Sequence, residues 1–269
     1  MKFNQLVTSI GLTVSTVLFV SNSAQAANFT TNINQKTDAK KDILLESIQQ
    51  KDQTITQFSF VNKAVINKNT PRTKDANSGA ASTDSGDKAT TPVITKEDPD
   101  AVEIAKFLGN SNLNNIIDGE DTGSFNINVF FDSLIKEDNS GLDSLFFWER
   151  GMNSDLMVQA IDSTGNIIGN AITLLRKQQQ DAGFKIDTKE IGKSQEVGSW
   201  GVSLAQLGVT SLSGIQLSAT SKFNGPDFKV IARKSSVKTV PEPGTVIGLG
   251  SVAALAFVRR RKSNKAISQ

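Results

Sequence analysis

The densest chemistry in the chain lies in the run Leu145-Phe-Phe-Trp-Glu-Arg-Gly-Met-Asn-Ser-Asp-Leu156. Trp148 supplies an aromatic plate, and Glu149, Arg150, Asn153 and Asp155 supply groups that hydrogen-bond hydroxyls. A sugar-binding surface uses that mix, and Trp200 offers a second plate. The plainer reading of the same residues is a strand pair around a turn at 151–154. Phe146 and Trp148 would then face a core, and Glu149 would pair with Arg150 or a cross-strand partner. A third chemistry, glycoside hydrolysis, could draw two carboxylates from Asp143, Glu149 and Asp155. It needs them about 5–10 Å apart, which spacing along a chain does not fix.

Three acidic turns suggest calcium: Asp118-Gly-Glu-Asp-Thr-Gly123, Glu137-Asp-Asn-Ser-Gly-Leu-Asp143 and Asp162-Ser-Thr-Gly165. Asp, Asn and Ser oxygens beside Gly can wrap a hard cation, but none of the turns carries the bidentate Glu that closes an EF-hand loop. Turn chemistry explains them equally simply. No cofactor is therefore expected, with structural calcium as the alternative.

The absences are sharper. The chain has no His, Cys or Tyr. This excludes Ser-His-Asp and Cys-His nucleophilic catalysis, zinc held by His or Cys, and disulfides. Leaving out Lys2, the five cations after residue 258 and Glu242, residues 27–240 hold 23 basic and 26 acidic side chains, a net charge of about −3. A nucleic-acid surface is not expected.

The elements that must position these residues follow from composition and period. Residues 27–66 are polar, with one apolar helical patch at Ile43, Leu44, Leu45 and Ile48 and strand-like sequence over 56–66. Residues 67–97 are rich in Asn, Thr, Ser, Gly and Asp and read as a flexible linker. Asp98-Pro99 opens a helix that Gly109 ends, within a 98–119 helix and connector. Short strands are predicted at 125–131, 145–149, 156–161, 167–174, 184–187, 199–204, 214–219 and 228–232. A hairpin loop is expected over Asp162-Ser-Thr-Gly-Asn166. The fold class is mainly β: an antiparallel β-sandwich or jelly roll over 120–235, preceded by a small N-terminal helical region.

Both ends read as addresses. Residues 1–26 form a signal peptide, with Lys2 before an apolar stretch and a small-x-small cleavage site at Ala24 and Ala26. The Sec translocon and signal peptidase are the expected partners. Residues 244–258 are fifteen uncharged positions, about 22 Å as a helix, short for a span. Arg259, Arg260, Arg261 and Lys262 follow, and by the positive-inside rule they would stop transfer.

The order Pro241-Glu242-Pro243, short apolar helix and Arg cluster resembles the PEP-CTERM sorting signal over 240–265. The resemblance implies export, transient anchoring by the 244–258 helix, and processing near 241–243 by an exosortase. The physical reading agrees, because two prolines hold the backbone extended and unpaired. The 145–156 run, with Trp200-Gly-Val-Ser-Leu204 and Phe223-Asn-Gly-Pro-Asp-Phe228, also resembles a cyanobacterial type of exosortase-dependent surface protein. That implies an exported structural or matrix protein whose biochemical activity is unassigned. The expected function is a non-enzymatic cell-surface or extracellular-matrix protein, with binding of the extracellular polysaccharide through Trp148 or Trp200 as the alternative.

Overall fold

The computed structural model describes residues 29–72, 75–90 and 94–235. The signal peptide, the 244–258 helix and the 241–243 motif lie outside them. Among the described residues no helix is long and apolar enough to cross a membrane.

Strands dominate. In chain order they are β1 (Thr30–Ile33), β2 (Leu45–Gln50), β3 (Gln53–Ile55), β4 (Phe58–Ser59), β5 (Val61–Asn69), β6 (Pro71–Arg72), β7 (Asp75–Gly79) and β8 (Ala81–Ser85). Helix α1 (Ala101–Leu108) intervenes before β9 (Asn115–Gly119), β10 (Phe125–Lys136), β11 (Leu145–Arg150), β12 (Leu156–Ile161) and β13 (Ile167–Leu174). The chain then forms β14 (Gln180–Ile186), β15 (Gln195–Val202), β16 (Ser211–Ala219) and β17 (Phe228–Arg233).

Two antiparallel sheets carry the fold, ordered β13-β12-β16-β10-β5 and β14-β15-β11-β17-β9-β8. They share one core. Ile127, Val129, Val158, Ile215 and Leu217 of the first sheet meet Leu145, Phe147, Trp200, Val202, Phe228 and Val230 of the second. This is a β-sandwich built by period-2 alternation. A second core lies on the other face of the larger sheet. There Phe146, Trp148, Ile231 and Val197 pack against Phe29, Ile43, Leu45, Ile48 and Ile55 of the N-terminal segment. β11 is therefore covered on both faces, and all six of its residues are buried.

The N-terminal segment corrects one expectation. The apolar patch at 43–48 is not helical; β2 pairs with β1 and β3 in a three-stranded antiparallel sheet. Its apolar residues must lie flat on Phe146 and Trp148, and a register shift against β1 that skips Glu46 lets both Leu45 and Ile48 bury there. Tertiary packing overrides a weak helical period.

The 67–97 segment corrects another. Part of it continues β5, and β8 pairs with β9 along its whole length, from Ala81↔Gly119 to Ser85↔Asn115. Every residue of β8 is buried. Its small polar side chains are interior groups rather than a solvated linker.

Helix α1 begins two residues later than expected. Asp100, not Asp98, is the N-cap, and it forms a capping box with Glu103. Gly109 closes the helix as expected. The strands predicted at 156–161 and 167–174 form over those residues, joined by the 162–166 hairpin loop. There Asp162 accepts from the backbone of Thr164 and Asn166, both at 2.9 Å.

The inter-sheet core sets the first expectation for stability. Phe147 is fully buried at its centre. Phe147→Ala should destabilise the domain by about 3–5 kcal/mol, read as a fall in the urea midpoint at unchanged slope.

Candidate functional site

β11 separates the residues that the sequence places side by side. Alternation sends Phe146, Trp148 and Arg150 to the outer core and Leu145, Phe147 and Glu149 toward the facing sheet. Glu149 and Arg150 therefore do not pair. Nor do β11 and β12 form a strand pair, since the 151–154 turn carries the chain from one sheet to the other.

Neither tryptophan offers a plate to a ligand. Trp148 is fully buried, donates its indole N–H to Thr31 Oγ1 at 3.0 Å and meets Phe29 edge-on. Trp200 is equally buried, and its N–H reaches Leu175 O at 3.1 Å. A stacking role for either would require the core to open.

Arg150 is the centre of the polar structure. It is 2 % exposed, and its five N–H donors all find acceptors. Nε and Nη2 bind Asp227 Oδ2 at 3.0 and 2.8 Å. Nη2 also reaches Asp118 Oδ2 at 3.1 Å. Nη1 binds Asp84 Oδ2 at 3.0 Å and the hydroxyl of Thr188.

Burial alone would lower the Arg150 pKa, but the charges of Asp227 and Asp118 outweigh it and raise it. Burial pushes the Asp227 carboxyl well above the usual range, with the Asp118 charge adding to it. Burial also raises Asp84, against the pull of Thr188 and Arg150. One guanidinium thus faces three carboxyl groups.

Glu190 lies at the open side of this ring. Its side chain is exposed, and partial desolvation against the ring, then the Asp118 charge and the neighbouring Glu97, raise its pKa. Carboxylate oxygens of Asp84, Asp118 and Glu190 lie within 4.8 Å of one another, and these are the residues that could hold a cation. With one converging oxygen each, the three carboxylates supply three of the six to eight oxygens that calcium takes, and Arg150 already sits between Asp84 and Asp118. The other acidic turns have their carboxylate oxygens engaged by protein donors. Asp162 binds its own loop, and Asp138 pairs with Arg233 and Ser140.

The remaining candidate residues are dispersed. Glu149 is fully buried, and Gln179 Nε2 donates to its Oε2 at 2.9 Å. Its Oε1 has no hydrogen-bond partner. Burial raises its pKa to about 8, against the opposing pull of Gln179 and Ser154. Asp155 accepts from Arg176 through N, Nε and Nη2 at 2.7, 3.2 and 3.0 Å. Asn153 is exposed, and its Oδ1 accepts from Ser154. Asp143 lies beyond the other end of β11, bound to Gln50 at 2.7 Å. Six residues of extended chain put it roughly 20 Å from Glu149, too far for a hydrolytic pair.

The sequence reading missed Asp84, Thr188, Glu190 and Asp227. Asp227 carried a signal, because it follows the Asn224-Gly225-Pro226 turn and precedes an apolar strand. Asp84 carried none, since a buried Asp in a Ser/Thr tract has the composition of a loop.

Comparison with known proteins bears on the tail. Residues 239–262 match the PEP-CTERM protein-sorting motif. No curated protein and no solved structure matches the chain. The chain therefore carries the signal for exosortase-dependent sorting of an exported, surface-associated protein.

Two tests follow from the buried charges. Arg150→Met should cost about 3–5 kcal/mol at pH 7, because it leaves three carboxyls facing one another without a counter-charge. The deficit should shrink at pH 4, where the carboxyls take up protons, as read from urea midpoints at both pH values. Glu149 behaves in the opposite sense from a salt-bridged acid. Its folded pKa of about 8 exceeds the ordinary 4.5, so its contribution is full below pH 4.5 and lost as pH rises toward 8. Glu149→Gln should remove that loss, on the order of 3 kcal/mol, and flatten the pH profile of stability between pH 5 and 8.

Proposed function

We propose that this is a non-enzymatic, exported cell-surface or extracellular-matrix protein whose β-sandwich is displayed by its sorting tail. The observation that carries the reading is the sorting motif at 239–262, placed directly after a domain whose last strand ends at Arg233.

In this reading the Sec translocon exports the chain, and signal peptidase cuts after Ala26. Arg259, Arg260, Arg261 and Lys262 then stop transfer, and the 244–258 helix holds the domain at the membrane. An exosortase cuts near 241–243 and releases the domain or passes it to a surface acceptor. The dispersal of the candidate ligand groups supports a structural role for the domain. Trp148, Trp200, Glu149 and Arg150 lie in its interior, and Asp155 is neutralised by Arg176. Glycan binding draws less support from the same geometry because the aromatic plates are covered, and carboxylate hydrolysis because Asp143 lies at the other end of β11 from Glu149 and Asp155 is held by Arg176.

Processing is tested by intact mass and peptide mapping of the protein from its host, in membrane and extracellular fractions. The expected species begins at Ala27, ends near 241–243 and is found outside the membrane. Pro241→Ala combined with Pro243→Ala should leave the tail attached and the chain in the membrane fraction. A wild-type chain that keeps Arg259–Arg261 in the membrane would overturn the sorting reading and leave a plain anchor.

A further inference from the structure

Lys229 is a buried amine with no counter-charge. It stands in β17 opposite Trp148 and is fully buried. Among the described residues no carboxylate pairs with it. Its Nζ reaches only two acceptors, Phe107 O at 2.5 Å and Asn110 Oδ1 at 3.2 Å. An ammonium there would leave one N–H without a partner, whereas a neutral amine places both of its N–H groups and keeps a free lone pair. Burial, opposed by nothing nearby, pulls the pKa well below the ordinary lysine value.

Asn110 is held as an electrophile would be. Besides Lys229, its Oδ1 accepts the backbone N–H of Asn112 at 2.9 Å and Nδ2 of Asn115 at 3.3 Å. Donors thus converge on the oxygen where negative charge would build if Cγ were attacked. Its Nδ2 donates to Lys106 O at 2.8 Å and to Phe107 O at 3.2 Å. The Phe107 oxygen therefore contacts both the amine and the amide nitrogen. Asn110 is half-buried, so a small leaving group has a way out.

The geometry points to an intramolecular isopeptide bond between Lys229 Nζ and Asn110 Cγ. Rotation about Cε–Nζ turns the N–H away from Oδ1 and aims the lone pair at Cγ. As it attacks, the carbonyl electrons move onto Oδ1, where Asn112 and Asn115 stabilise them. As the carbonyl re-forms, the Cγ–Nδ2 bond breaks. The proton lost from Nζ ends on Nδ2, which departs as ammonia. The product is a secondary amide with a single N–H, which Phe107 O accepts. Nothing is oxidised or reduced, and no cofactor takes part.

The alternative role for Lys229 is a cap that donates to the last turn of α1. That role suits a charged ammonium, whereas the acceptor count here favours a neutral one. The bond would tie β17, the strand that leads into the tail, to the turn after α1 across 119 residues of sequence. It would give a cysteine-free domain a covalent cross-link.

The test is peptide mapping of the folded, full-chain protein after denaturation and digestion. The expected result is a branched peptide joining the Asn110 and Lys229 segments in the majority of molecules. Its mass should fall short of the two linear peptides by one ammonia, about 17 Da, and it should be absent from Lys229→Arg. The wild-type digest decides even where that variant fails to fold. Separate linear peptides carrying unmodified Asn110 and Lys229 would overturn the proposal. So would an ammonia loss confined to the Asn110 peptide, which is succinimide formation with Ser111.

Discussion

A guanidinium taken fully out of water must find an acceptor for every N–H, and Arg150 does so only if four distant segments meet around it. Asp84 comes from β8, Asp118 from β9, Thr188 from the chain after β14 and Asp227 from the turn before β17. Any slip of β8 against β9, or of β9 against β17, would leave a buried charge or donor unmatched. The pairing of β9 with β17 has a single register point, Phe228↔Ile117, so the ladder there is short. The Arg150 hub lies beside it and supplies the specificity that the ladder lacks. A buried ion cluster is weak evidence for net stability, because desolvation offsets the Coulombic gain. Its value here is positional, which suits a domain that has no disulfide to fix its edges.

The second constraint is that β11 is central in two senses. It lies between β15 and β17 within its sheet, and it lies between two cores. A strand covered on both faces cannot alternate apolar and polar residues, and Leu145-Phe-Phe-Trp148 does not. The aromatic density that resembles a sugar platform is thus a product of double burial. The polar residues that follow, Glu149 and Arg150, are drawn inside by the same geometry, each to its own side. Burial raises the pKa of Glu149, whereas the charges of Asp227, Asp118 and Asp84 outweigh burial at Arg150 and raise its pKa.

Legibility tracked exposure. β12 and β13 form over the residues predicted for them because their solvated positions leave the period visible and the 162–166 turn residues mark the corner. The N-terminal strands were misread because Ile43, Leu44, Leu45 and Ile48 fit a helical face as well as a strand, and only the aromatic surface beneath them decides. β8 was illegible for a deeper reason. Ala81-Ser-Thr-Asp-Ser85 has the composition of a loop, and its burial depends on Arg150, 66 residues away along the chain. No local window contains that information. Of the candidate site, Arg150 was visible as a residue, but the partners that define its role were not.

The position of β17 joins the fold to the sorting tail. β17 is an interior strand, held by β11 on one side and by β4 and β9 on the other, and its residues are all buried. Its far end is fixed again, with Arg233 bound to Asp138 and to Asp143 O, and Ser235 bound to Lys136. The chain beyond Ser235 therefore leaves from one of the best-held points of the domain. Two points bear on the display through the C-terminus proposed above. The ladder partners of β17 are β11, β4 and β9, all of them upstream of the 241–243 motif. Any pull on the tail enters through a central strand, where it must shear the ladder along its length rather than peel an edge one bond at a time.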